Sequence, residues 1–162
     1  VGKKSERIKS MIYGGFWRRA VAAIVDGLIL YLVAGLIHIV TGVPLGIHIA
    51  AYKSGQALSV VYSDPAIWIP TMCAILAHWL YYSCFISSKF QSSPGMMALR
   101  MKVTGYDGEG ISFGRATGRY FASIISGAIA MLGYLMIAFT PRKQALHDYI
   151  AGTLVVRDSA VK

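Results

Sequence analysis

Charge is scarce in this sequence. Of its 162 residues only 14% are Asp, Glu, Lys or Arg, and just 7 are acidic; a soluble domain carries about a quarter charged residues. The charges that are present gather between long apolar runs, and 56% of the chain is hydrophobic. This excludes an ordinary soluble domain and places the chain in the membrane class. Cysteine is scarcer still: Cys73 and Cys84 lie in one apolar run, which reads as packing rather than as a disulfide or a thiolate metal site. No acidic or cysteine cluster has metal-ligand spacing, no nucleophile stands beside a base, and no glycine-rich loop is built to cradle phosphate. The expectation is therefore no enzyme, no cofactor and no metal. The net charge of +9 does not point to nucleic acid, because no basic stripe interleaves with aromatics in a soluble segment. Lys and Arg on the cytoplasmic flanks of membrane spans explain it.

What is present is apolar length. Residues 20–40 form a first run and 67–86 a second, each long enough to cross about 30 Å of hydrocarbon at about 1.5 Å per residue. The first is too long for a signal-peptide core and lacks a small-residue cleavage site. Trp68 marks one end of the second run, and Trp79, Tyr81 and Tyr82 the other. The N-terminal segment 1–19 holds Lys3, Lys4, Arg7, Lys9, Arg18 and Arg19. Residues 41–66 hold only Lys53, and residues 87–119 hold Lys89, Arg100, Lys102, Arg115 and Arg119. The positive-inside rule puts the N-terminus and the loop 87–119 in the cytoplasm and residues 41–66 outside.

A third run, 120–139, conflicts with that rule if it crosses, since Arg142, Lys143, Arg157 and Lys162 follow it. "LRMKVTGYDGEGISF" reads as a β-hairpin turning at Asp107-Gly108, and "GTLVVR", residues 152–157, as another short strand. Strands this short need one another, so residues 101–105 and 153–157 are expected on one aqueous face. The preferred solution bends residues 113–140 near Gly127 or Gly133 into two short helices that enter and leave on the cytoplasmic side; a plain third span is the alternative. The predicted fold is thus an α-helical membrane protein, a single domain with two full transmembrane helices, a third membrane segment and a small cytoplasmic β-hairpin or sheet. The tail 140–162 closes the chain.

Asp26 is the first candidate for function. It lies about 9 Å into the first run, where a charge is costly and normally faces the protein interior and a partner. Arg19, seven residues earlier, shares its face but leans away, so it should snorkel to the interface and leave Asp26 to a partner from elsewhere. Depth matching offers His78, Tyr81 and Tyr82 on the second run. They would act either as a proton relay or as a plain lock between two helices. Arg115 and Arg119, one turn apart, are placed to draw in an anion or headgroup, to meet Asp26 or Asp148, or simply to snorkel. In "PRKQALHDYIAG", Pro141 could open a short helix that Gly152 ends. His147 and Asp148 are adjacent on it and so point in different directions. Gly110, Gly114, Gly118, Ala122, Ser126 and Ala130 recur every four residues, which predicts a close helix contact, between subunits if not within one.

Four segments, "FWRRAVAAIVDGLIL", "SSPGMMALRMKV", "GEGISFGRATGRYF" and "RKQALHDYIAGTLVV", resemble in order those of the RDD family of bacterial membrane proteins. The resemblance implies that Arg19 is the family arginine, with Arg18 the weaker candidate, and that Asp26 and Asp148 are its two aspartates. Family members commonly carry Gly-Lys where this chain has Gly95-Met96, so any role of that lysine is missing here. The family is largely uncharacterised, and some members look like cation/proton antiporters. The expected function is transport of a proton, cation or small solute in a bacterial inner membrane, with the N-terminus cytoplasmic. Asp26 would be the charge site, Arg19 and Asp148 would set its affinity, and Tyr81, Tyr82, His78, Arg119 and His147 would be relays or partners. Two or three membrane segments enclose no pathway alone, so the lipid-embedded chain should be a homo-oligomer. The alternative is an accessory or assembly subunit of a larger membrane complex in which these charges form a structural lock.

Overall fold

A computed structural model describes residues 12–42, 65–128 and 132–157. The predicted external loop lies almost wholly outside these residues, as do Lys3, Lys4, Arg7, Lys9 and Ala130. The chain forms two compact units, one of residues 27–80 and the other of residues up to 26 together with those from 81 onward.

Helix α1, Phe16–Thr41, and helix α2, Pro65–Ser87, supply both units. Within them, Phe16–Thr41 and Trp68–Ser87 are long and apolar enough to cross a membrane. Their portions in the first unit expose Leu32, Leu36, Ile39, Met72, Ile75 and Leu76. Bare hydrocarbon side chains of this kind are stable against lipid and not against water.

The second unit holds everything else. Ser93 caps a single helical turn, α3 (Pro94–Ala98), with Pro94 at the first helical position, where its missing N–H costs nothing. Strand β1, Met101–Gly105, follows, and its antiparallel partner is β2, Thr153–Arg157, at the C-terminal end. Val103 pairs with Val155, and Tyr13 bridges to Val156 on the outer edge of β2. Met101, Val103, Val155, Ile111, Ala116, Ala22, Ile86 and Met96 form the core.

The expected hairpin arm after Asp107-Gly108 does not form. The turn itself is there, with Gly108 at φ 79° and the Gly105 amide bonded to the Glu109 carbonyl at 2.9 Å. Beyond it Ser112 starts helix α4, Phe113–Ala128, accepting the Ala116 amide on its carbonyl at 3.0 Å. An N-cap and the helical periodicity behind it outweigh the two β-branched or aromatic residues left for a strand. The sheet therefore closes between segments about fifty residues apart.

The run 120–139 is not one helix. Helix α4 is followed by α5, Leu132–Phe139, and the two pack together. A Cβ on Gly133 would stand 2.7 Å from that of Ser126, and the Tyr134 hydroxyl donates to the Ser123 carbonyl at 3.3 Å. The small-residue row splits accordingly: Ala122 and Ser126 are buried, whereas a Cβ on Gly114 or Gly118 would meet nothing within 4 Å. Pro141 does not open the last helix. Thr140 bonds Gln144 through both its hydroxyl and the Gln144 amide, folding 140–144 into a turn with Lys143 at φ 50°. Helix α6 then begins only at Leu146 and runs to Ala151, with Gly152 in the left-handed conformation ending it.

Candidate functional site

The aspartates occupy two separate centres, both in the second unit. Asp26 is 1% exposed. Its carboxylate accepts the Tyr81 hydroxyl at 2.9 Å, the Ser93 hydroxyl at 2.5 Å and the Gly95 amide at 2.7 Å. Every one of these donors is neutral. The N-terminal turn of α3 thus sits directly on the acid, which is where a short helix favours negative charge. Gly95 permits this approach: a Cβ there would collide with the Ala22 carbonyl oxygen and stand 2.8 Å from Asp26 Cγ. Tyr82 is electrostatically coupled to the same carboxylate and packs edge-on against Tyr81, with ring centroids 5.2 Å apart. His78, in the other unit, is exposed.

Asp148 is the centre of the second site. It is fully buried and takes salt bridges from Arg19 on one oxygen and Arg119 on the other. It also accepts the Ala145 amide at 2.9 Å, tying the start of α6 to the same anion. Arg19 does not snorkel. Its remaining donors reach the Gly14 carbonyl at 2.9 Å and the Lys143 carbonyl at 2.6 Å, so its lean away from Asp26 carries it into this cage. Arg119 also departs from the snorkelling expectation: it is 8% exposed and donates to the Thr153 hydroxyl at 2.8 Å. Arg115, one turn earlier, is exposed and donates to the Ala151 and Gly152 carbonyls, closing the C-terminal end of α6.

Burial on its own works against the Asp148 carboxylate, but Arg119, Arg19 and His147 together outweigh it and hold the group well below the usual carboxylate range. For the neighbouring imidazole, burial and the same two arginines win over Asp148 and push His147 down to about 3. Its Nε2 lies 3.5 Å from Asp148 Oδ1, its ring packs on Tyr134 at 5.2 Å, and its Nδ1 is buried without a hydrogen-bond partner. Adjacency in sequence therefore does not keep His147 away from Asp148, though the pair is no acid–base dyad because the histidine stays neutral. This gives a signed expectation. The unfolded chain protonates His147 near pH 6.5 and the folded chain only near 3, so stability is full above about 6.5 and falls as pH drops towards 3. Asp148 contributes in the same direction only below about 3.8. Unfolding temperatures in detergent at pH 7 and pH 4 should differ clearly in the wild type and much less in His147→Gln; equal differences would refute the assignment.

Ser93, Gly95, Thr153 and the carbonyls of Gly14 and Lys143 complete the two centres, and sequence reasoning missed all of them. Ser-Pro-Gly was legible as a helix start, but nothing local marked it as the seat of an acid 67 residues away. Among the described residues no cluster of His, Cys, Asp and Glu is arranged to hold a metal ion.

The model of the RDD family matches residues 13–152, a range that includes Arg19, Asp26, Arg119 and Asp148. An uncharacterized protein of Bacillus subtilis (strain 168), YxaI, is 38% identical over 146 residues, covering 88% of this chain and 95% of its own. The uncharacterized membrane protein YteJ of the same organism is 27% identical over 163 residues, covering 97% of this chain and 88% of its own. No solved structure matches the chain. The chain belongs to the RDD family and is a membrane protein.

Proposed function

We propose that this protein transports a proton, cation or small solute across a bacterial inner membrane, and that Asp26 is the acid that takes up and releases a proton. The observation that carries this reading is the contrast between the two buried acids. Asp148 stands between two arginines and is committed as an anion. Asp26 is met by two hydroxyls and an amide, with no basic group among those donors. Hydroxyls turn. A protonated Asp26 can donate to the Tyr81 or Ser93 oxygen, so the same cage accommodates both forms. An intramembrane acid in such surroundings is by default a proton or ion site.

In this reading the N-terminus is cytoplasmic, as the basic residues favour. Helix α5, of 8 residues, spans only about 12 Å. It is too short to cross, which supports a re-entrant α4–α5 pair. The working form is an oligomer, and the chain carries no catalytic activity.

The test is proton and cation flux in proteoliposomes, with the wild type against Asp26→Asn. Asparagine accepts the Tyr81 and Gly95 donors on its oxygen and offers its amide to a rotated Ser93, so the fold should survive. We expect flux to vanish. Wild-type flux that persists in a folded Asp26→Asn refutes Asp26 as the site.

One observation favours a second reading, an accessory subunit of a larger complex. The bonds of the two acids tie α1 to α2, α3, α4 and α6, as a structural lock would. Purification separates the two: a small homo-oligomer with flux supports the transporter, whereas a flux-free chain that holds other subunits in stoichiometric amount supports the lock.

A further inference from the structure

The bonds of Arg19 also arrange the surface around it. Its guanidinium donates to the Lys143 carbonyl at 2.6 Å, which holds the turn 140–144 against the start of α1. That turn carries the exposed Arg142 and the half-buried Lys143, and the neighbour of Arg19 on α1 is the exposed Arg18. Three cations therefore collect at one end of α1. The ion pairs among the described residues all end on Asp148, so none of the three has a carboxylate partner there. Arg142 lies over the Tyr106 ring at 5.6 Å, and Lys143 donates once, to the Ala138 carbonyl at 3.3 Å. A guanidinium carries five N–H donors and an ammonium three, so most of these donors are left for a ligand.

Bare aromatic rings flank the cations. Trp17, beside Arg18, is 78% exposed, and Phe139, three residues before Arg142, is 86% exposed. Such rings are costly in water and settle where headgroups meet acyl chains. Helix α1, of 26 residues, is about 39 Å long against about 30 Å of hydrocarbon, so its terminal turns reach headgroup level.

We infer that Arg18, Arg142 and Lys143, flanked by Trp17 and Phe139, bind the phosphate of an anionic phospholipid where α1 enters the membrane. The cations hold the headgroup, with guanidinium donors suited to phosphate oxygens, and the rings lie along the acyl chains. A soluble phosphate compound would engage the cations and leave both rings bare. The rings therefore select a lipid. Binding here is independent of proton uptake at Asp26.

The test uses the full chain in phosphatidylcholine bilayers with a rising fraction of brominated phosphatidylglycerol, which quenches nearby tryptophan fluorescence. The chain has three tryptophans, so Trp68→Phe and Trp79→Phe leave Trp17 as the reporter. Brominated phosphatidylglycerol should quench Trp17 at a lower fraction than brominated phosphatidylcholine does. Arg18→Gln, Arg142→Gln and Lys143→Gln should each weaken that preference about fivefold, the usual contribution of one cation at a membrane surface. The triple variant should be quenched alike by both lipids. All three side chains lie outside the two buried centres, so the fold should survive. Arg100→Gln and Arg157→Gln are the controls; they sit at the far end of the sheet, where Met101 pairs with Arg157, and should leave the preference in place. An equal loss in the controls shows a diffuse positive field and overturns the site. So does a loss confined to Arg18→Gln, which removes the turn from it. Equal quenching by both lipids before any charge is removed means ordinary boundary lipid and overturns it too, and displacement of the brominated lipid by inorganic phosphate overturns the choice of a lipid.

Discussion

Asp148→Asn should destabilise the folded chain by about 3–5 kcal/mol, the usual cost of removing one partner from a buried ion pair. Asparagine preserves the shape of the side chain and can still accept the Ala145 amide. It cannot answer Arg19 and Arg119, whose charges would face each other with no anion between them. The damage reaches four parts of the fold at once, because Asp148 joins the start of α1, the buried face of α4, the turn before α6 and, through Arg119, Thr153 at the start of β2. Chemical unfolding in detergent micelles measures it. Adding Arg119→Gln should recover part of the loss, since one of the stranded cations is then gone. A single-variant cost under about 1 kcal/mol would show that the centre is better solvated than its burial implies.

Gly95→Ala should cost about 3 kcal/mol. Overpacking alone costs about 1–3 kcal/mol, and here the obstacles are the Ala22 backbone carbonyl and the Asp26 carboxyl, neither the end of a flexible chain. Any shift that relieves the collision pulls the Gly95 amide from a buried carboxylate, and hydrogen bonds to charged groups contribute about 1.5–3 kcal/mol. Flux should fall together with stability, because the same shift opens the cage around Asp26. The control lies in the same chain. At Gly114 and Gly118 of α4 a Cβ meets nothing within 4 Å, so Gly114→Ala and Gly118→Ala should be neutral or stabilising by about 0.5–1 kcal/mol. If all three glycines behave alike, the close approach of α3 to α1 is not the reason for Gly95.

Much of the architecture could be read before any coordinates. The two spans, the bend in the third run and the two short strands follow from apolar length, hydropathy and β-branching, which are local properties. Asp26 also stood out locally, since a charge within an apolar run is costly wherever the run ends up. The hairpin expectation failed because a turn reverses the chain without dictating the conformation beyond it, and Ser112 committed the next residues to a helix. The small-residue row was correct as a pattern, yet Ser126 packs against Gly133 while a Cβ on Gly114 or Gly118 would meet nothing within 4 Å.

By itself the sequence determined that the chain lives in a membrane, that it carries an acid within a span, and that it belongs with the RDD proteins. The first two conclusions rest on composition and on the cost of charge in hydrocarbon, which need no fold; the third rests on the resemblance of four segments to that family. Only the tertiary structure decided which charges meet. Arg19 joins Asp148 across 129 residues, and Asp26 is left to Tyr81, Ser93 and the Gly95 amide. The sequence put Arg19 on the face of Asp26 but leaning away from it, and expected it to snorkel to the interface. The lean of helical side chains towards the N-terminus sends Arg19 the other way, and the low-dielectric interior rewards whichever anion the packing brings within reach.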